Sequence, residues 1–136
     1  MKTPSSAFAL VVDDDADTLL LVGEIFKIAG YSALTADNYE TAVALLAQNP
    51  AVILLDVVMP HDLCNRLVAH LASMGSSVPV LLMSSMAPAQ LEIERRLLVS
   101  AGVFAPTVLH KPFWVDALLS ALSEALPSGS SDLALL

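Results

Sequence analysis

The chain has 136 residues, of which 56% are hydrophobic and 15% are charged, and its formal net charge is −8. This length suits one domain with a substantial core, and the apolar composition suits a sheet covered on both faces. The negative charge argues against direct nucleic-acid binding, and no apolar run reaches the roughly 20 residues of a membrane span.

Residues 1–6 form a polar N-terminal extension. The apolar run that starts at Ala7 leads straight into aspartates, so it lacks the long apolar core and cleavage site of a secretory signal. We therefore expect a cytoplasmic location. Cys64 is the only cysteine, which excludes an internal disulfide and a metal site with a second cysteine.

Apolar runs and amphipathic segments alternate along the chain, which is typical of βα units and a parallel, doubly wound α/β sheet. The apolar runs predict five strands, at residues 8–12, 32–35, 52–56, 80–83 and 107–109. The intervening segments predict five helices, at 16–29, from an Asp37 cap to a stop at Pro50, and at 63–74, 88–100 and 114–126. Residues 7–126 are expected to form one domain, and the Ser-Gly-Ser-Ser run after Pro127 predicts a flexible tail or linker over 127–136.

Carboxylates follow two of these strands. Asp13 and Asp14 come directly after the first strand, and Asp56 ends the third. If the two strands are neighbours in a parallel sheet, the three side chains meet in the crevice at its carboxyl edge. At about 4 Å two carboxylates repel by roughly 4 kcal/mol at an effective dielectric of about 20, so a divalent cation is the natural compensation. Oxygen ligands with room for water and a phosphate favour Mg²⁺.

Other interpretations of the acidic run remain open. Its acids stand at positions 1, 3, 5 and 12 of a calcium-binding loop, but position 6 is Thr18 where a glycine is required. A solvated helix cap is a second alternative. The third is a hydrolase with an Asp-x-Asp nucleophile, although such enzymes usually need a larger cap domain. The acids at the four calcium positions are Asp13, Asp15, Asp17 and Glu24.

A hydroxyl and a lysine follow the last two predicted strands. Ser84 comes after the fourth strand, and Lys111 comes after the fifth, directly before Pro112. Taken singly, a serine after a strand is typical of a turn, and a lysine before a proline is typical of a surface charge. Together with Asp56 they place a nucleophile, a hydrogen-bonding hydroxyl and a cation in one crevice beside the metal site.

Four stretches resemble the receiver domain of response regulators, over about residues 7–126. They are LVVDDD at 10–15, ILLDVVMP at 53–60, VPVLLMS at 78–84 and KPF at 111–113. The resemblance implies a flavodoxin-like sandwich with strand order 2-1-3-4-5. It also implies that the chain is a two-component signalling protein and not an enzyme in the metabolic sense, although it takes part in its own phosphoryl transfer and slow dephosphorylation.

The resemblance further implies a role for each site residue. Asp56 would accept a phosphoryl group from a histidine kinase or a phosphotransfer protein. Mg²⁺ would be held by Asp13, Asp14, Asp56 and the backbone carbonyl of Val58. Ser84 and Lys111 would bind phosphoryl oxygens, and the Lys111–Pro112 bond would be cis.

The chain departs from the family pattern at several positions. Cys64 replaces a loop glycine, so a loop that relied on positive φ there must be rebuilt. Val108 stands where the family has an aromatic residue, so Ser84 has no aromatic rotamer to couple to at this position. These departures support an alternative function, a degenerate receiver that acts as a phosphorylation-independent interaction module. His61, His70 and His110 lack the spacing of metal ligands.

An apolar insertion at 103–106 and Trp114 lie near the fifth strand and helix. Trp114 either packs in the core or forms an exposed anchor for a partner. The second alternative predicts a homodimer or partner contact through the fourth helix, fifth strand and fifth helix.

Overall fold

The computed structural model describes residues 8–125. The predicted extension at 1–6 and the predicted tail at 127–136 lie outside the described residues. The strands are β1 (Ala9–Val12), β2 (Ala33–Ala36), β3 (Val52–Asp56), β4 (Val80–Ser84) and β5 (Thr107–His110). The helices are α1 (Ala16–Ala29), α2 (Tyr39–Leu46), α3 (Leu63–Ser73), α4 (Pro88–Ser100) and α5 (Val115–Ala125), with a short 3-10 helix at Pro60–Asp62.

The five strands form one parallel sheet in the order β2-β1-β3-β4-β5, which confirms the predicted doubly wound α/β fold. Every residue of β1, β3 and β4 is buried, as expected for central strands covered on both faces. Val12 lies opposite Leu55, and Asp56 lies opposite Met83. The register therefore brings the carboxyl ends of β1, β3 and β4 to one edge of the sheet.

The sheet separates two hydrophobic cores, because successive strand side chains point to opposite faces. One core joins the strands to α2, α3 and α4, and the other joins them to α1 and α5. Leu10 and Ile53 belong to the first core, and Val11 and Leu54 to the second. Both sides of the sheet are thus held by packing, which fixes the positions of the strand ends.

The second helix differs from the sequence prediction at both ends. Its N-cap is Asn38, whose extended backbone lets the side-chain oxygen accept a hydrogen bond from the Thr41 N–H at 2.8 Å. The predicted Asp37 cap is wrong: Asp37 lies one residue outside and accepts a hydrogen bond from the Asn38 side chain at 2.8 Å. The helix ends at Leu46, before Pro50, and Asn49 takes a left-handed φ of 59°.

The other predicted boundaries differ from the structure by at most one residue. Gly30 caps α1 with φ 84°, as predicted, and its N–H donates to the Lys27 carbonyl. Gly102 follows α4 with φ 96°. Within the described residues, no helix has both the length and the apolar character needed to span a membrane.

Candidate functional site

Three carboxylates converge at the carboxyl edge of the sheet. Oxygens of Asp13, Asp14 and Asp56 all lie within 4.8 Å of one another. Asp13 is fully buried and Asp56 is 7% exposed, whereas Asp14 is exposed. The cluster forms because β1 and β3 are neighbours that end at the same level. The structure thus brings together the acids that the sequence placed in one crevice.

Lys111 bridges two of these carboxylates. Its Nζ donates to Asp13 Oδ2 at 2.6 Å and to Asp56 Oδ2 at 3.1 Å, with 18% of the lysine side chain exposed. Its backbone N–H donates to the Ser84 carbonyl at 2.8 Å, which ties the end of β5 to the end of β4. The bond from Lys111 to Pro112 is cis. The lysine is therefore held over the carboxylates from both its backbone and its side chain.

Backbone N–H groups hold the remaining oxygens of the two buried acids. Asp13 Oδ1 accepts from the Asp15 N–H at 3.0 Å, and Asp56 Oδ1 accepts from the Val58 N–H at 3.0 Å. Each carboxylate is fixed by one backbone donor and by Lys111. This arrangement orients Asp56 before any partner arrives.

Ser84 lies at the end of β4 and is 2% exposed. It follows Met83, the residue opposite Asp56, and it lies opposite His110, the residue before Lys111. Its Oγ accepts a hydrogen bond from the Met86 N–H at 3.1 Å, which leaves its O–H free to donate. The Ser84 hydroxyl therefore lies at the end of β4, between β3, which ends at Asp56, and β5, which leads into Lys111.

The site carries excess negative charge. Burial, followed by the neighbouring Asp13, raises the pKa of Asp56 from 3.8 to about 6, against the opposing effects of the Val58 N–H and Lys111. Burial alone would lower the pKa of Lys111, but the hydrogen bond to Asp13 and the charge of Asp56 outweigh it and raise the pKa. Three carboxylates and one ammonium leave a formal charge of −2, which one divalent cation balances. Oxygen ligands of this kind fit Mg²⁺.

Residues 9–123 match the family model of the response regulator receiver domain. The chain belongs to this family. Receiver domains of this kind are the phosphoacceptor modules of two-component signalling systems, and they bind Mg²⁺ at an acidic pocket.

Relatives of known name agree with this assignment. The response regulator MprA of Mycobacterium sp. (strain KMS) is 32% identical over 124 residues, which are 90% of this chain and 52% of that protein. The sporulation initiation phosphotransferase F of Bacillus subtilis (strain 168) is 25% identical over 123 residues, 90% of this chain and 95% of that protein. The chain therefore spans about half the length of the mycobacterial relative and nearly all of the Bacillus one.

A solved structure is similar over the whole fold. The chemotaxis protein CheY4 of Vibrio cholerae superposes with a TM-score of 0.76 at 26% identity, covering 88% of this receiver and 98% of that chain. The sheet order and the five helices of this receiver are thus those of a known receiver fold.

The aspartates that follow β1 have two different roles. Asp15 caps α1 by accepting from the Asp17 N–H at 3.2 Å and the Thr18 hydroxyl at 2.7 Å, and the Thr18 bond lowers the pKa of Asp15. Asp17 and Glu24 lie on the helix that follows. A calcium loop is therefore not formed, and the capping interpretation holds for Asp15 but not for Asp13 or Asp14.

The loop after β3 contains two residues with left-handed backbone conformation. Left-handed φ values of 61° and 54° fall on His61 and Asp62, whereas Cys64 is buried in the first turn of α3. Burial raises the pKa of the Cys64 thiol to about 12. Cys64 itself therefore lies in a helix, and the left-handed residues of this loop are His61 and Asp62, which precede it.

A cavity of about 290 Å³ lies between this loop and the β4–α4 connection. Its lining includes Val58, Met86 and Glu94. Glu94 is not recognisable as a site residue from the sequence, because a carboxylate inside an amphipathic helix carries no positional signal. Only the fold shows that Glu94 shares a cavity with the residue two positions after Asp56.

The far edge of the receiver carries exposed apolar side chains. Trp114 is 84% exposed, so the core-packing interpretation is wrong. Val108 is half-buried against the core of α2, α3 and α4 and offers no aromatic ring. In the insertion at 103–106, Val103 and Ala105 are buried while Phe104 is exposed. This edge therefore presents an apolar surface to solvent.

Proposed function

We propose that this receiver accepts a phosphoryl group on Asp56 from a histidine kinase or a histidine phosphotransfer protein. The observation that carries the proposal is the Lys111 bridge, which holds one cation against Asp56 inside a cluster of three carboxylates. In-line attack by a carboxylate on a phosphoryl group needs little beyond positioning and neutralisation of charge. At neutral pH Asp56 is mostly ionised despite its raised pKa of about 6, so it can act as the nucleophile.

The proposed metal site consists of Asp13, Asp14, Asp56 and the backbone carbonyl of Val58. When bound, Mg²⁺ supplies the positive charge that balances the oxygens of the transferring group. Asp56 is already oriented by the Val58 N–H, so the segment 56–58 serves both the nucleophile and the metal. The fold already holds the three carboxylates within 4.8 Å of one another.

Lys111 and Ser84 are proposed to bind the phosphoryl oxygens. Lys111 donates to Asp56 Oδ2 at 3.1 Å, so it is placed to follow that group when it becomes phosphorylated. Ser84 has a free O–H, while its Oγ accepts from the Met86 N–H. Movement of the hydroxyl toward a phosphoryl oxygen would break the bond to Met86 and release the start of the β4–α4 connection.

This movement is the proposed conformational signal. A phosphoaspartate adds about two negative charges and new acceptor oxygens at the site. A shift of a two-state element from about 1:99 to 99:1 requires roughly 5.5 kcal/mol of differential interaction. Since Val108 lacks an aromatic ring, the signal in this receiver passes through the backbone at Ser84 and Met86 instead of an aromatic rotamer.

A partner that delivers the phosphoryl group must contact the surface around the site. Helix α1 starts three residues after Asp13 and exposes Leu20, Leu21 and Ile28 to solvent. Exposed apolar patches of this kind commonly mark interaction sites. We assign this face of α1 to the partner that donates the phosphoryl group. We propose that the reaction takes place in the cytoplasm, where ATP is available to a kinase.

A homodimer through α4, β5 and α5 is the proposed second contact. Leu97, Phe104 and Trp114 are more than half exposed on these elements and their connection. Light scattering with and without beryllofluoride, a phosphoryl analogue, tests it. A mass that stays monomeric in both conditions at high concentration contradicts the homodimer.

A degenerate receiver that binds partners without phosphorylation is the second candidate. It is favoured by Val108 in place of an aromatic residue and by Cys64 in place of the loop glycine. The domain limits are also proposals: a receiver at 7–126, preceded by an extension at 1–6 and followed by a tail or linker at 127–136. In both candidates the chain is a signalling module and not a metabolic enzyme.

Phosphoryl uptake from acetyl phosphate with Mg²⁺ separates the two candidates. We expect uptake approaching one phosphoryl group per chain in the parent and none in Asp56→Asn. Asp37→Asn removes the same charge from an exposed loop position and serves as the matched control. Absence of uptake by a folded parent would favour the phosphorylation-independent module.

A further inference from the structure

Three sulfur-containing residues line the cavity of about 290 Å³ between the loop after β3 and the β4–α4 connection. Met59 lies in the loop after β3, Cys64 in the first turn of α3, and Met86 in the β4–α4 connection. The chain has five methionines and one cysteine, so half of its sulfur-containing residues line this one cavity. They come from three separate segments, and the fold brings them together.

Cys64 is a free, buried thiol at the wall of this cavity. The residue is 8% exposed, and among residues 8–125 its thiol forms no hydrogen bond. Burial, followed by the charge of Glu94, raises the pKa of this thiol to about 12, so it is protonated at neutral pH and is a poor nucleophile. A metal ion can nevertheless displace the proton, because metal ligation stabilises the thiolate directly. The chemistry open to this thiol is therefore ligation.

The two methionines are suited to join it. Met59 and Met86 are half-buried and pack against the same hydrophobic core as Cys64. A methionine side chain is unbranched and has three rotatable bonds, so its thioether can be repositioned without movement of the backbone. The cavity is several times larger than the roughly 30 Å³ that one water molecule occupies in the liquid. It therefore has room for an ion and for the side chains that would turn toward it.

The charge of the cavity wall favours a cation. Asp62 and Glu94 line the cavity, and its lining among the described residues contains no lysine or arginine. The Asn65 side chain donates to Asp62 Oδ1 at 2.8 Å, which holds this carboxylate beside the cavity. Carboxylates around a cleft create a negative potential that concentrates cations there. An anionic ligand would be repelled by the same charges.

The ligand set indicates which cation fits. Soft thiolate and thioether ligands select Cu(I), whereas Mg²⁺ prefers oxygen ligands. Zn²⁺ is usually bound by cysteine, histidine or carboxylate, and two of the three sulfurs here are thioethers. We propose that Met59, Cys64 and Met86 bind one Cu(I) ion in this cavity. As the copper–sulfur bond to Cys64 forms, the thiol proton passes to solvent and the copper keeps its oxidation state.

Competition for Cu(I) tests the proposal. The full chain is titrated without oxygen against bicinchoninate, a coloured Cu(I) chelator, and we expect it to withdraw one Cu(I) per chain. Met59→Leu and Met86→Leu conserve side-chain volume, and each should weaken binding about tenfold or more. Met74→Leu is the matched control, because Met74 is 57% exposed and lies outside the cavity lining, and its affinity should equal that of the parent. A folded parent that withdraws no Cu(I) overturns the proposal.

Two further measurements identify the ligands. X-ray absorption at the copper edge should show sulfur neighbours alone, and oxygen or nitrogen neighbours would overturn the proposal. Cys64→Ala should abolish competition with the chelator. If it does so while both leucine variants bind as tightly as the parent, copper is held by the thiolate alone and the three-sulfur site is wrong. Urea unfolding confirms that the leucine variants are folded. None of these readouts involves phosphorylation, so failure of the proposed phosphoryl transfer would leave the inference untouched.

Discussion

Replacement of Asp56 by asparagine should stabilise the metal-free protein at neutral pH. Burial and the neighbouring Asp13 raise the pKa of Asp56 from 3.8 to about 6. The favourable contribution of this carboxyl to folding is therefore present below pH 3.8 and is lost as the pH rises through about 6. Asparagine keeps the size of the side chain and an acceptor for the Val58 N–H but carries no charge.

The size of the effect follows from the pKa shift. A shift of about 2 units corresponds to about 3 kcal/mol at pH 7, and part of it is shared with Asp13 and Lys111. We expect Asp56→Asn to raise the free energy of unfolding by about 2 kcal/mol at pH 7, with little difference near pH 4. The exposed substitution Asp37→Asn removes the same charge and should change stability by less than about 0.5 kcal/mol.

Urea unfolding in the presence of a chelator, measured from pH 4 to pH 8, tests this expectation. The stability difference between the variant and the parent should grow as the pH rises and then level off above pH 7. An Asp56→Asn variant that is less stable than the parent at pH 7, or a difference that does not change with pH, would refute the electrostatic argument.

Three further predictions concern the metal, the helix cap and the phosphorylated state. Asp14→Ala should weaken Mg²⁺ binding in calorimetric titration, because it removes one ligand and one negative charge; unchanged affinity contradicts the metal site. Asn38→Ala should cost about 1 kcal/mol of stability in urea unfolding, whereas Asp37→Ala should cost little, and equal losses would contradict the assigned cap. Val58 lies two residues after Asp56 and Met86 two residues after Ser84, and neither has a side chain that forms a useful hydrogen bond with water. Side chains that position the hydrolytic water or act as a general base typically speed hydrolysis by 10²- to 10⁴-fold. We therefore expect phosphorylated parent protein to lose its radiolabelled phosphoryl group more slowly than a Val58→Asn, Met86→Glu variant. Equal rates of loss would contradict the view that these two apolar side chains slow dephosphorylation.

The fold was predictable because its apolar runs are strong and regular. Continuous apolar runs at β1, β3 and β4 match strands that are buried on both faces. The acids, the hydroxyl and the lysine follow strands, so parallel pairing alone brings their positions to one edge. The strand order came instead from the family resemblance, since periodicity does not identify the neighbours of a strand.

Local backbone choices were less predictable. Asp37 and Asn38 are adjacent and both are good caps, and only the extended backbone at Asn38 decides between them. The left-handed φ values at His61 and Asp62 are a second local feature of this kind. Histidine and aspartate adopt this conformation more often than most residues, but their presence in a loop does not show that they will adopt it. Trp114 was ambiguous for a related reason: α5 begins one residue later, so Trp114 falls outside the helix face that packs on the sheet.

The most direct test of the central claim is to locate the phosphoryl group. The parent is treated with acetyl phosphate and Mg²⁺, the acyl phosphate is reduced with borohydride, and the resulting homoserine is mapped by peptide mass spectrometry. The proposed function predicts homoserine at position 56 alone, dependent on both Mg²⁺ and the phosphodonor. Homoserine at Asp13 or Asp14, or a folded protein that yields none, would contradict Asp56 as the phosphoacceptor.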